Sequence, residues 1–149
     1  MKNYFLVIVS LFVTLVYSQS SQKYYFDSKF NTTDKTVDKT SSSNYLKINF
    51  GGETTLTLKE NEVSKEIKIS YINTHNVDGI YIIELQSTSD SHPLVMKIII
   101  GENNEIKCLK IVEDGVTTYY NCFEYFDTKD GVTNYYKVKD DTNFKKLIL

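Results

Sequence analysis

This sequence predicts an all-β domain, an antiparallel meander of about eight or nine strands forming a barrel or a two-layer sandwich, behind a cleaved signal peptide. Three observations carry that prediction. Apolar residues recur with period two along most of the chain from Tyr45 onward. Gly, Asn and Asp punctuate the alternation at regular intervals, as turns between short strands do. Ala is absent, while Ile, Val, Thr, Tyr and Phe are abundant. That balance lowers helix propensity and favours a pleated, half-buried surface.

The chain begins with Lys2 and an apolar run from Tyr4 to Val16, followed by Tyr17-Ser18-Gln19-Ser20. A charged start, a short hydrophobic core and small residues at a cleavage point make a secretory signal peptide. Val16 and Ser18 suit the small-residue positions, which sets the cut between Ser18 and Gln19. A membrane span needs about 20 apolar residues, and this run is shorter. The expected address is therefore secreted and extracellular, with residues 1–18 removed. The end of the chain, Phe144-Lys145-Lys146-Leu147-Ile148-Leu149, is too short and too charged for a lipid-anchor signal. No stable membrane insertion is expected once the signal is cleaved.

Residues 19–44 read as a polar, partly flexible N-terminal segment that buries too little apolar surface to offset its ordering entropy. Within it, Tyr24-Tyr25-Phe26 and Phe30 predict one short strand pinning the segment to the body. Asn31-Thr32-Thr33 is the chain's glycosylation sequon, expected on an exposed stretch. Residues 45–149 form the β-rich domain. Leu46, Ile48 and Phe50 share one face of a first strand, and Gly51-Gly52 turns the chain toward Leu56 and Leu58. Alternation resumes over Glu66–Tyr71. Ile80–Leu85, apolar on both faces, predicts a central strand. Ser87–Pro93 is a loop, followed by strands over Leu94–Ile100 and Glu105–Val112. Asp114-Gly115 and Asp130-Gly131 are hairpin signals, and Phe144–Leu149 is expected to close the sheet. The octet Glu113–Tyr120 echoes Lys129–Tyr136 sixteen residues later, which two similar hairpins explain without a repeat array.

All 17 basic residues are Lys, against 19 acidic ones, so the mature chain carries a net charge of about −3. Arg is the side chain that grips phosphates and guanine edges with two prongs. Its absence and the acidic balance argue against a nucleic-acid partner.

Cys108 and Cys122 are the two cysteines, and in an oxidising compartment they predict one disulfide. Their numbers constrain the hairpin between them. Directly opposed cysteines need a register sum of 230, and a three-residue loop gives 228 with the pair diagonal. A two-residue turn on Asp114-Gly115 gives 229 and sends the two side chains to opposite faces. The disulfide therefore requires a longer loop or a bulge, and one of those is expected here.

No catalytic constellation is legible. His75 and His92 lie in predicted turns near Asp78 and Asp90, with no nucleophile or metal motif beside them. Acid pairs such as Glu60 with Glu62, or Asp140 with Asp141, fall in predicted turns. No metal site and no cofactor are expected, and the protein reads as a non-enzyme. The functional hint is Tyr: Tyr119, Tyr120, Tyr135 and Tyr136 gather on two hairpins. An outward Tyr row would stack on a carbohydrate or dock on an extracellular protein. The leading expectation is thus a secreted, non-catalytic binding module using a Tyr-rich sheet face. The alternative is a barrel carrying a small apolar molecule, and the third is a small hydrolase. In size, signal and strand number the chain resembles lipocalins in architecture, but their Gly-x-Trp signature is missing because the chain has no Trp.

Overall fold

In the computed structural model of the protein the described residues are 20–89, 93–100 and 106–138. The signal-peptide run, His92 and Phe144–Leu149 lie outside them. The described chain is all β. Its ten strands are β1 (Ser20–Asn31), β2 (Thr36–Lys39), β3 (Tyr45–Phe50), β4 (Thr55–Glu60), β5 (Val63–Val77), β6 (Ile80–Ser87), β7 (Leu94–Ile100), β8 (Ile106–Glu113), β9 (Val116–Lys129) and β10 (Val132–Lys137).

From β3 to β10 every strand pairs antiparallel with the next in sequence. β1 then joins the two ends of that run. Its first half lies against β3, with Tyr24 opposite Leu46, and its whole length lies against β9. Eight strands, β1 and β3 to β9, thereby close a barrel; β2 and β10 are added along β1 and β9. Closure removes the open edges that a flat sheet would leave at β3 and β9.

The sequence analysis left barrel and sandwich open, and the seam decides for the barrel. The strand expected around Tyr24–Phe30 is present but spans Ser20–Asn31. The barrel thus reaches back past the boundary expected at Tyr45. Polar residues misled the reading, because in a half-buried strand only alternate positions need be apolar. Closure among the described residues is made by β1 and β9; the closing role expected of Phe144–Leu149 falls on residues outside them.

One parity of each strand fills the interior. Tyr24, Phe26, Leu46, Ile48, Met96 and Leu109 are each at most 1% exposed. Ile69, Leu85, Leu94, Ile98, Ile111 and Tyr120 complete the wall-to-wall packing. At the seam two bulges reset this parity. Tyr25 opposes Glu124, Phe26 opposes Cys122 and Ser28 opposes Asn121, so Phe123 and Asp27 are each one residue in excess. Bulges bend a strand and raise its twist, which a small barrel requires where it closes.

The turns follow backbone chemistry. Asp78-Gly79, Asp114-Gly115 and Asp130-Gly131 place both central residues at positive φ, as type I′ hairpins demand. Asn61-Glu62 adopts the same shape with Glu62 at φ 72°.

Two expectations are corrected here. Along β8 and β9 the pairs run from Leu109 opposite Tyr120 to Glu113 opposite Val116, a register sum of 229. The loop is therefore the tight two-residue turn, and neither the longer loop nor a bulge between the cysteines is present. The Asp-Gly preference for a type I′ turn sets this loop. Cys122 is buried, with Sγ 3.3 Å from the Glu124 carbonyl oxygen; the side chain of Cys108 lies outside the described residues.

Ile80–Leu85 does lie in mid-sheet as β6, but its first half is not buried, with Tyr81 42% exposed. β4 ends its pairing with β5 at Thr55–Lys68, so the far halves of β5 and β6 run on past the barrel wall that would have covered them.

Candidate functional site

At the end of the barrel carrying the β4–β5, β6–β7 and β8–β9 connections, the interior opens into a cavity of about 300 Å³. Its walls are apolar: Leu56 and Leu58 from β4, Ile67 from β5, Leu94 from β7, Ile111 from β8 and Tyr120 from β9. Strand alternation aims each of them inward. Leu46 opposes Leu58, and Met96 opposes Ile111, so the same parity that builds the core also builds this floor.

Where the inward parity reaches the strand ends it turns polar. Lys65 continues the phase of Ile67 and Ile69, Glu113 that of Leu109 and Ile111, and their side chains form an ion pair across the mouth. Lys29, opposite Tyr120 in the β1–β9 ladder, faces inward for the same reason. Its Nζ lies 2.8 Å from Glu60 Oε2. The other oxygen of Glu60 is buried without a hydrogen-bond partner. Asn31 and Thr118, also opposed, complete the rim.

Tyr120 lies at the floor, 5% exposed. Burial first, then the carboxylates of Glu60 and Glu113, push its phenol well above the ordinary tyrosine range. It is a neutral hydroxyl at any physiological pH.

A larger hollow of about 520 Å³ lies between Ser20-Ser21, the Phe50–Glu53 turn and Thr128. It is an open groove among turn backbones, with little apolar wall beyond Phe50. The smaller cavity is the better candidate, because it is built of core side chains with convergent polar groups at its rim.

The four tyrosines singled out by sequence do not share a surface. Tyr120 lines the cavity. Tyr119 faces outward beside Phe30, with Lys110 Nζ 5.5 Å from its ring. Tyr135 and Tyr136 are exposed on β10, on opposite faces of it. The Tyr136 ring stacks on Tyr125 at 4.6 Å, and Tyr125 stacks on buried Tyr24 at 5.6 Å. Tyr135 packs on Phe126 and donates its hydroxyl to Glu124. An aromatic strip does cross the outer wall, but from Tyr45 through Tyr25 and Phe126 to Tyr135. Lys23 Nζ sits 4.0 Å above the Tyr45 ring and 4.7 Å above Tyr25.

Asn31 of the sequon ends β1, half-buried at the cavity rim rather than on a free segment, and its Oδ1 accepts a hydrogen bond from the Thr33 N–H. His75 is exposed, with Nε2 3.6 Å from Glu84; Lys97 lies 3.5 Å from the same carboxylate. Among the described residues no group of three or more His, Cys, Asp or Glu could hold a metal ion.

Sequence reasoning missed Lys29, Glu60, Lys65 and Glu113. For three of them a signal existed: each is a charge in phase with the apolar parity at the end of a strand. Lys29 carried none, because the bulge at Asp27 shifts its phase.

Fold and cavity together define an eight-stranded antiparallel barrel with an apolar, charge-rimmed mouth. No protein-family model matches the chain, and comparison with curated proteins finds no match.

Proposed function

We propose that this protein is a non-catalytic binding barrel that takes a small, mainly apolar molecule into its mouth. The observation that carries this reading is the cavity of about 300 Å³, walled by Leu56, Leu58, Ile67, Leu94 and Ile111 beneath the Lys65–Glu113 pair. Apolar walls with a few placed polar groups are the usual make-up of a small-molecule site, and this volume is at the low end for one. The ligand is therefore small, with an apolar body on the leucines and isoleucines and a polar end at the rim. The signal-peptide reading makes its setting extracellular. The interior is apolar and the outer wall carries Lys23, Lys47, Lys97 and Lys110, the inverse of a membrane barrel's lipid-facing band.

Anilinonaphthalene sulfonate, an apolar fluorescent probe, tests the site. One equivalent should bind the native protein, and Ile67→Trp, which fills the cavity, should abolish binding while leaving the melting temperature within a few degrees. Binding that Ile67→Trp leaves untouched overturns the proposal.

A second reading, docking of a carbohydrate or an extracellular protein on the outer wall, is favoured by one observation. Tyr45, Tyr25, Phe126 and Tyr135 form a continuous strip over four strands. Tyr135→Ala, with retained folding and lost binding to the secreting cells' own surface, would support it.

A further inference from the structure

Tyr120 brings to the cavity a hydroxyl that the fold itself does not use. The residue is 5% exposed and faces inward on β9, between buried Cys122 and the rim's Thr118. Its ring is fixed from two sides. Phe26 meets it edge-on at 4.8 Å, and Leu109 stands opposite it on β8. Among the described residues no group accepts its phenol proton. The two carboxylates whose charges act on it are placed otherwise. Glu60 gives Oε2 to Lys29, and its Oε1 is enclosed without a hydrogen-bond partner. Glu113 gives Oε1 to Lys65. A position that needed only an aromatic filler would be met by Phe, as it is at neighbouring Phe26. Tyr120 lines the cavity, so its hydroxyl reaches an acceptor only through that space.

Taking the cavity as a ligand site, we propose that its ligand is uncharged where it enters and presents an oxygen acceptor, as a ketone or ester does, to the Tyr120 hydroxyl. The inventory of charges selects that chemistry. Lys29 and Lys65 are both held by Glu60 and Glu113, and Asp114 adds a third acid at the lining. A ligand carboxylate would meet these acids with neither lysine free to pair with it. A ligand ammonium brings donors only and leaves the phenol proton without an acceptor. Either ion would also give up its hydration among Leu56, Leu58 and Ile111, which is costly for an unpaired charge. A neutral oxygen satisfies the phenol while the hydrocarbon body covers those walls. Anilinonaphthalene sulfonate fits the same scheme with its sulfonate left outside in water.

The test compares four probes of similar shape by ligand-observed NMR: acetophenone, isopropylbenzene, benzoate and benzylammonium. Acetophenone should bind the native chain about tenfold or more tightly than either ion. Tyr120→Phe keeps the ring and removes only the hydroxyl. It should weaken acetophenone about fivefold to tenfold, the worth of one hydrogen bond, and leave isopropylbenzene within about twofold. Its melting temperature should not fall, since the hydroxyl has no protein partner to lose. Benzoate or benzylammonium binding as tightly as acetophenone overturns the inference while leaving the cavity a ligand site. So does Tyr120→Phe acting equally on acetophenone and isopropylbenzene. If none of the four binds, the cavity reading falls and the inference with it.

Discussion

Lys29 on β1 and Glu60 on β4 meet inside the barrel, Nζ 2.8 Å from Oε2, over the strand β3 that separates them. Neither is more than about a quarter exposed, and Glu60 keeps one oxygen enclosed without a partner. The pair ties the seam strand β1 to β4, and Glu60 is one of the two carboxylates that, after burial, push the Tyr120 phenol up.

Removing one member of that pair should cost more than removing a surface one. Lys29→Met leaves the Glu60 carboxylate enclosed and unpaired, a loss of about 1–3 kcal/mol by urea denaturation. Lys29→Met with Glu60→Leu should recover most of it, since apolar replacement of both partners is often neutral. Lys65→Ala, in the more exposed rim pair, should cost less than about 1 kcal/mol.

Phe26 holds the closing seam. It is fully buried opposite Cys122, and its ring meets that of Tyr120 edge-on at 4.8 Å. Phe26→Ala should destabilise by about 3–5 kcal/mol. Because native domains have only about 5–15 kcal/mol in hand, the melting temperature should fall by more than for any rim variant.

Glu62 sits at φ 72° in an exposed turn. A left-handed conformation costs an L-residue about 1–2 kcal/mol, and Gly avoids that at the expense of a more disordered unfolded chain. Glu62→Gly should therefore stabilise by about 0.5–1 kcal/mol, creating an Asn-Gly type I′ turn. A lower melting temperature would refute this account of the turn.

Alkali should unfold the protein through its buried phenols. Tyr24 and Tyr120 are both held far above the ordinary tyrosine value of about 10, chiefly by burial. A raised native pKa leaves stability unaffected below pH ~10, where both states are protonated. Above it the unfolded chain ionises first, and stability should fall by about 1.4 kcal/mol per pH unit for each tyrosine. Phenolate absorbance should show these two groups titrating only together with unfolding. Tyr120→Phe should make the decline less steep.

Much of this fold was legible in local sequence. The parity of Leu46, Ile48, Leu56 and Leu58 gave the inward face directly, because a strand alternates sides with every residue. The Asp-Gly pairs gave the hairpins, because both central residues of a type I′ turn need positive φ.

The cavity was less legible. Lys65 and Glu113 are in phase with their strands, but nothing local says that β5 and β8 face each other across a mouth. That is a property of closure, which depends on β1 pairing with β3 and β9 at once. The bulges at Asp27 and Phe123 belong to that closure too, and they hid the inward aim of Lys29.

The sequence by itself determined an all-β meander, its Asp-Gly turns and the inward side of the regularly alternating strands, since these follow from side-chain period and backbone φ within a few residues. Only the tertiary structure decided that the sheet closes into a barrel, that Tyr119 and Tyr120 go to different sides of its wall with only Tyr120 at the cavity, and that β5 runs on past β4 with, among the described residues, only β6 beside Ser70–Val77. Those outcomes depend on which distant strands meet, and pairing between strands far apart in the chain is set by the packing of the whole core.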